Sequence, residues 1–176
     1  MTLGILLRVL HVLAGFASLV MGPFIMRASK RSGFHTRAGD VYFALVTLVC
    51  LSAIALALLE WTRLRFFFWI GVGTYAFALP GYLAAKQRWR HWLLIHAVGV
   101  TSSYVAIATA FLVNNLATIT GLHLPFATRA LVPMFIGTCA VAWLAHQVHT
   151  GRRPKLLRRR GSRSGQPSTA LGVQNR

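Results

Sequence analysis

Seven histidines are the side chains of this chain with the most chemistry to offer, because its acidic inventory is only Asp40 and Glu60. Acid–base work by paired carboxylates is thereby excluded, as is a proton relay of Asp and Glu inside an apolar core. Two facing imidazoles in a helical bundle can bind haem iron axially or, with a third ligand, a divalent metal. Depth selects which of them could meet. His96 and His146 fall near the same end of adjacent antiparallel apolar segments, with His91, His149 and His35 nearby, and form the expected ligand pair. His11 lies toward the other end, offset from His96 by about 10 Å at ~1.5 Å per residue, and is a candidate only with another partner. The competing expectation, which the residue types favour, is that these imidazoles hydrogen-bond to neighbouring helices or sit in the headgroup region among Trp89 and Trp92. No metal or other cofactor is assigned, and His123 is given no role.

The elements that position these residues are five apolar stretches, Leu3 to Met26, Val41 to Leu59, Phe66 to Ala85, Trp92 to Val113 and Phe126 to Val148. A helix needs roughly 20 apolar residues to cross a hydrocarbon core of ~30 Å, and all five reach that length. The composition agrees, with 56% hydrophobic residues and a mean hydropathy of +0.59. Strands of a membrane barrel would alternate apolar with polar over ~10 residues, which none of these runs does. The first stretch is too long for a signal-peptide h-region and exits into Arg27, Lys30 and Arg31, so it is expected to be retained. The predicted fold is an all-α polytopic membrane bundle of five transmembrane helices over residues 1–150, followed by a disordered basic tail, residues 151–176.

Basic residues set the predicted orientation, since cytoplasmic loops are enriched in Lys and Arg. Fifteen of the 19 lie after spans one, three and five, and the remaining four are Arg8, Arg63, Arg65 and Arg129. The N-terminus is therefore predicted outside and the C-terminus in the cytoplasm. A net charge of +17 distributed in this way follows topology and does not describe a nucleic-acid-binding face. The tail cluster Arg152 to Arg163 is expected to rest on anionic lipid headgroups, at roughly 1 kcal/mol per basic residue.

Within the spans, polar and small residues fall on stripes. Gly4, Arg8, His11, Gly15, Ser18 and Gly22 form one on span one, and His96, Gly99, Ser103, Ile107, Ala110 and Asn114 form one on span four. Thr128, Phe135, Cys139, Ala142 and His146 form a third on span five. All three are predicted to face the bundle, because small residues let backbones approach where no hydrophobic effect drives association in lipid. Pro80 and Pro133 are expected to bend their helices. Cys50 and Cys139 are read as buried free thiols. At the turn before span two, Asp40 is expected to cap the helix and Arg37 to pair with it, fixing the turn; His35, Arg37 and Asp40 are also the candidate headgroup or anionic-ligand site.

The run His11-Val-Leu-Ala-Gly-Phe-Ala-Ser-Leu-Val-Met-Gly-Pro23, with His35-Thr-Arg-Ala-Gly39-Asp-Val-Tyr42, resembles a family of bacterial multi-pass membrane proteins classed as a domain of unknown function. That family carries a histidine in the first helix, a Gly-Pro at its inner end and a His-Arg-x-x-Gly segment entering the second. Here Thr36 separates His35 from Arg37, a departure from the pattern. The stretch His96 to Asn114 is similar to the fourth helix of such proteins. The resemblance implies the helical fold and a bacterial inner membrane, and no activity. Three function classes follow, in order: a non-enzymatic or accessory membrane subunit acting through helix packing on a membrane-protein partner, a haem-binding or redox protein, and a small transporter.

Overall fold

A computed structural model describes residues 2–28 and 33–150. It consists of five helices, α1 Thr2–Arg27, α2 Phe34–Leu59, α3 Trp61–Gln87, α4 Trp92–Thr120 and α5 Phe126–His149, with no strand among the described residues. All five are long and apolar enough to cross a membrane. The basic tail, residues 151–176, lies outside the described residues, as do Lys30 and Arg31.

The helices outrun the apolar stretches. Helix α2 begins seven residues before Val41, α3 five before Phe66, and α4 ends seven after Val113. The hydropathy pattern marks where hydrocarbon must be crossed, whereas backbone hydrogen bonding continues through the polar residues on either side. The junctions are correspondingly short. Glu60 alone separates α2 from α3, giving its N–H to Leu56 O at 3.0 Å and accepting from Leu64 N at 2.9 Å. Residues 88–91 join α3 to α4, and 121–125 join α4 to α5, so the segment after the fourth apolar stretch is helical as far as Thr120.

Each helix packs against the next, and α1 also touches α4, so α1 to α4 close into a ring with α5 packed along α4 at its edge. Helix α2 is the most buried, through Tyr42, Val46, Val49, Cys50, Ser52, Leu56 and Ala57. Tyr42, Val46 and Cys50 meet Ala78 of α3 and Ile107 of α4 in the core. The junctions define two faces of the bundle. The first face holds the start of α1 and the α2–α3 and α4–α5 junctions; the second holds the α1–α2 and α3–α4 junctions and the end of α5.

Two of the three predicted stripes point inward in part. On α1, Ser18 and Gly22 of the stripe are buried and His11 is half-buried, whereas Arg8 is exposed and Gly4 and Gly15 face open space. On α4, Gly99, Ser103 and Ile107 are buried, while Asn114 is exposed. The α5 stripe is on the wrong side: Thr128, Phe135, Cys139, Ala142 and His146 are all exposed. Helix α5 turns Gly137 to α4, where an added Cβ would collide with the Val105 side chain. In lipid an apolar environment lies on both sides, so the close fit at Gly137 decides the face and weakly polar residues such as Cys139 are left outward. Of the two thiols only Cys50 is buried.

Candidate functional site

Polar side chains inside an apolar slab must find partners, and most of those in the bundle return their proton to their own helix. Ser18 gives to Ala14 O at 2.8 Å, Thr47 to Phe43 O at 2.9 Å, Ser52 to Leu48 O at 2.7 Å and Ser103 to Val100 O at 2.8 Å. A smaller set crosses between helices and forms the candidate site.

His11 of α1 donates from Nδ1 to Val49 O of α2 at 3.1 Å and lies 3.0 Å from Ser52 Oγ. A carbonyl oxygen can only accept, so Nδ1 carries the proton and the lone pair is on Nε2. His96 of α4 likewise donates from Nδ1 to Gly81 O of α3, at 2.9 Å. This bond sits at the closest approach of two helices. A Cβ at Gly99 would come within 2.6 Å of Phe77 O and 2.8 Å of Gly81 Cα, so glycine at both positions is what lets the α3 and α4 backbones touch.

The third contact explains the Gly22-Pro23 pair. Pro23 has no N–H to give to the carbonyl one turn back, at Leu19. Tyr104 of α4 gives its hydroxyl to that oxygen at 3.3 Å. Its ring lies across Gly22, where any Cβ would overlap it. The proline thus frees an acceptor, the glycine makes room, and a tyrosine 85 positions away takes both.

Both carboxylates are used in the same manner. Glu60 pairs with Arg8 of α1 at the first face. At the second face Asp40 pairs with Lys86 at 2.7 Å and accepts from Tyr82 Oη at 3.1 Å, while Phe43 stacks on Tyr82 with ring centroids 4.0 Å apart. Two expectations about Asp40 are therefore corrected. It stands nearly two turns past the N-cap of α2, which is Gly33 with no side-chain cap bond, and its partner is Lys86, not Arg37. The helix begins earlier than the apolar run, which carries Asp40 round to the side facing α3. Arg37 is exposed; His35 is half-buried, and its Nδ1 is buried with no partner among the described residues. Of these three residues only Asp40 has an ion-pair partner among the described residues.

The predicted haem or metal ligands are likewise held by different neighbours: His11 by α2, His96 by α3, and His146 on the exposed side of α5. Among the described residues no group of three or more His, Cys, Asp or Glu could hold a metal ion. Sequence reasoning missed Thr109 and Arg129, which are treated below. The available signal was Arg129 itself, a cation within an apolar stretch of a chain with two acids.

Removing an interhelical hydrogen bond in a bilayer costs about 0.6 kcal/mol on average and up to about 1.7. His11→Ala is accordingly expected to lower the unfolding free energy in mixed micelles by about 1 kcal/mol, and His146→Ala to leave it unchanged. Equal losses for the two variants would remove His11 from the set of fasteners.

No family model, curated protein or solved structure matches this chain.

Proposed function

We propose that the chain is a non-enzymatic accessory subunit of the bacterial inner membrane, with its N-terminus outside and its C-terminus in the cytoplasm, that works by packing against a membrane-protein partner. The observation that carries this reading is the use of its polar groups. His11, His96, Tyr104, Asp40 and Glu60 all fasten one helix to another, each to a different partner. Helix α5 supports it from the other side, as a full-length helix held mainly by α4 with Phe135, Ile136 and Trp143 turned outward.

The test is site-specific photocrosslinking in intact cells from Phe135 and Trp143, with Leu6 of α1 as comparison. A single protein adduct, the same from both α5 positions and weaker from Leu6, supports the reading; adducts to lipid alone overturn it. A reporter fused after Arg176 is expected to be active on the cytoplasmic side.

One observation favours a second reading as a haem-binding subunit. The Nδ1–H bond of His11 to a backbone carbonyl fixes the tautomer in which Nε2 can ligate iron, which is how ligating histidines are commonly oriented. An absorption spectrum of the purified protein separates the two, since haem ligation by His11 requires a Soret band that His11→Ala loses.

A further inference from the structure

Arg129 is a cation set into a membrane-spanning helix without a counter-charge among the described residues. It stands three residues after the start of α5, half-buried, and gives Nη1–H to Val113 O of α4 at 2.8 Å. Its Nε is buried and has no partner among the described residues. The chain's two carboxylates are committed to Arg8 and Lys86. A guanidinium held partly in an apolar medium is stabilised by an anion, and with both carboxylates already paired that anion would come from outside the described residues.

A groove of about 330 Å³ begins beside it, between α3, α4 and α5. It exists because α5 packs along α4 and meets α3 only near the first face, leaving a gap toward the rest of α3. Phe67 and Ile70 form one wall, Ala130 and Met134 the other, and Val113 and Thr109 the floor. The edge-to-face pair Phe66–Phe126, 5.5 Å between centroids, joins the two walls near the first face. The lining is apolar with one exception. Thr109 is only 7% exposed, and its hydroxyl is buried without a hydrogen-bond partner among the described residues, although Thr47 and Thr120 both bond back to their own helices. It lies about 6 Å deeper than Val113 at ~1.5 Å per residue.

We propose that this groove is a binding site for one anionic phospholipid, with an acyl chain along the groove and the phosphate at Arg129. The order of groups matches the molecule: a cation at the rim for the phosphate, a buried hydroxyl one turn deeper as donor to an ester carbonyl, and an apolar trough for the chain. The charge complementarity selects an amphiphilic anion, since free phosphate has no use for the trough and a neutral lipid leaves the guanidinium uncompensated. The inference does not depend on the accessory role proposed above.

The test is native mass spectrometry of the full-length protein in neutral detergent, titrated with phosphatidylglycerol or with phosphatidylcholine of the same chains. One phosphatidylglycerol is expected to be retained about five- to tenfold better than phosphatidylcholine, the factor expected for one partly buried charge contact. Arg129→Gln should remove that preference and Arg129→Lys should keep most of it. Ala110→Trp, which fills the trough with the charge in place, should lower retention by a similar factor, and Arg63→Gln should change nothing. Circular dichroism and gel filtration check that each variant folds; should Arg129→Gln fail, the lysine and tryptophan variants decide. Equal retention of the two lipids, an unaffected Ala110→Trp variant, or displacement of the lipid by millimolar inorganic phosphate would each overturn the proposal.

Discussion

Gly99→Ala is expected to lower the unfolding free energy by about 1–3 kcal/mol, the range for forcing extra volume into a packed contact. The methyl group would meet backbone, not a movable side chain: Phe77 O at 2.6 Å and Gly81 Cα at 2.8 Å. Helices α3 and α4 must then separate, and the His96 Nδ1–Gly81 O bond of 2.9 Å at the same crossing must lengthen. Gly73→Ala is the control, on α3 with nothing within 4 Å of the new atom. Alanine is the better helix former, so that variant should be neutral or more stable by up to about 1 kcal/mol. Denaturant titration in mixed micelles, followed by tryptophan fluorescence, reads both. A neutral Gly99→Ala would mean that the α3–α4 crossing is looser than the structure shows.

The second large effect is expected at Gly22. Alanine there overlaps the Tyr104 ring, and displacing the ring also breaks the hydroxyl bond to Leu19 O, leaving an acceptor that Pro23 cannot satisfy. A loss of about 1–3 kcal/mol follows from overpacking together with an unpaired carbonyl in an apolar medium. Because the cost acts through one side chain, it should shrink to near zero when Tyr104 is already alanine, giving a coupling of about 1 kcal/mol or more in a double-mutant cycle. Additive losses would show that Gly22 serves the α1 backbone and not the tyrosine. Tyr104→Phe isolates the hydroxyl and should cost about 0.6 kcal/mol, the average for such a bond in a bilayer.

The all-α class and the five segments were legible because apolar length alone decides them. The packing faces were legible only where small and polar residues coincide, as at Ser18 and Gly22 on α1 and at Gly99 and Ser103 on α4. Helix α2, the most buried, offered a fainter mark: Thr47 and Ser52 stand five positions apart, not the three or four of one face, so its pattern does not separate the Val46 face from the Leu51 face. Helix α5 misled for the converse reason, since its polar residues Thr128 and His146 lie near its ends, where exposure costs little. The Asp40–Lys86 and Arg8–Glu60 pairs join residues 46 and 52 positions apart and follow from how far α2 extends, which hydropathy understates. The partners of His11 and His96 are backbone carbonyls, and an acceptor present at every residue leaves no trace in the sequence. The role of Gly22-Pro23 was visible as a motif but not as a mechanism, because Tyr104 is needed to explain it.

The ring of four helices has a consequence for biogenesis. Each of α1 to α4 has its neighbours already in the membrane once α4 has emerged, so the tertiary structure can be complete before the last segment leaves the ribosome. Helix α5 then docks onto a finished body, along α4 and with Phe126 against Phe66 of α3, and the trough beside Arg129 is created only at that step. A ribosome stalled beyond α4 would therefore hold a nascent product already folded in its first four segments, and a lipid captured in the trough would report that synthesis had passed α5.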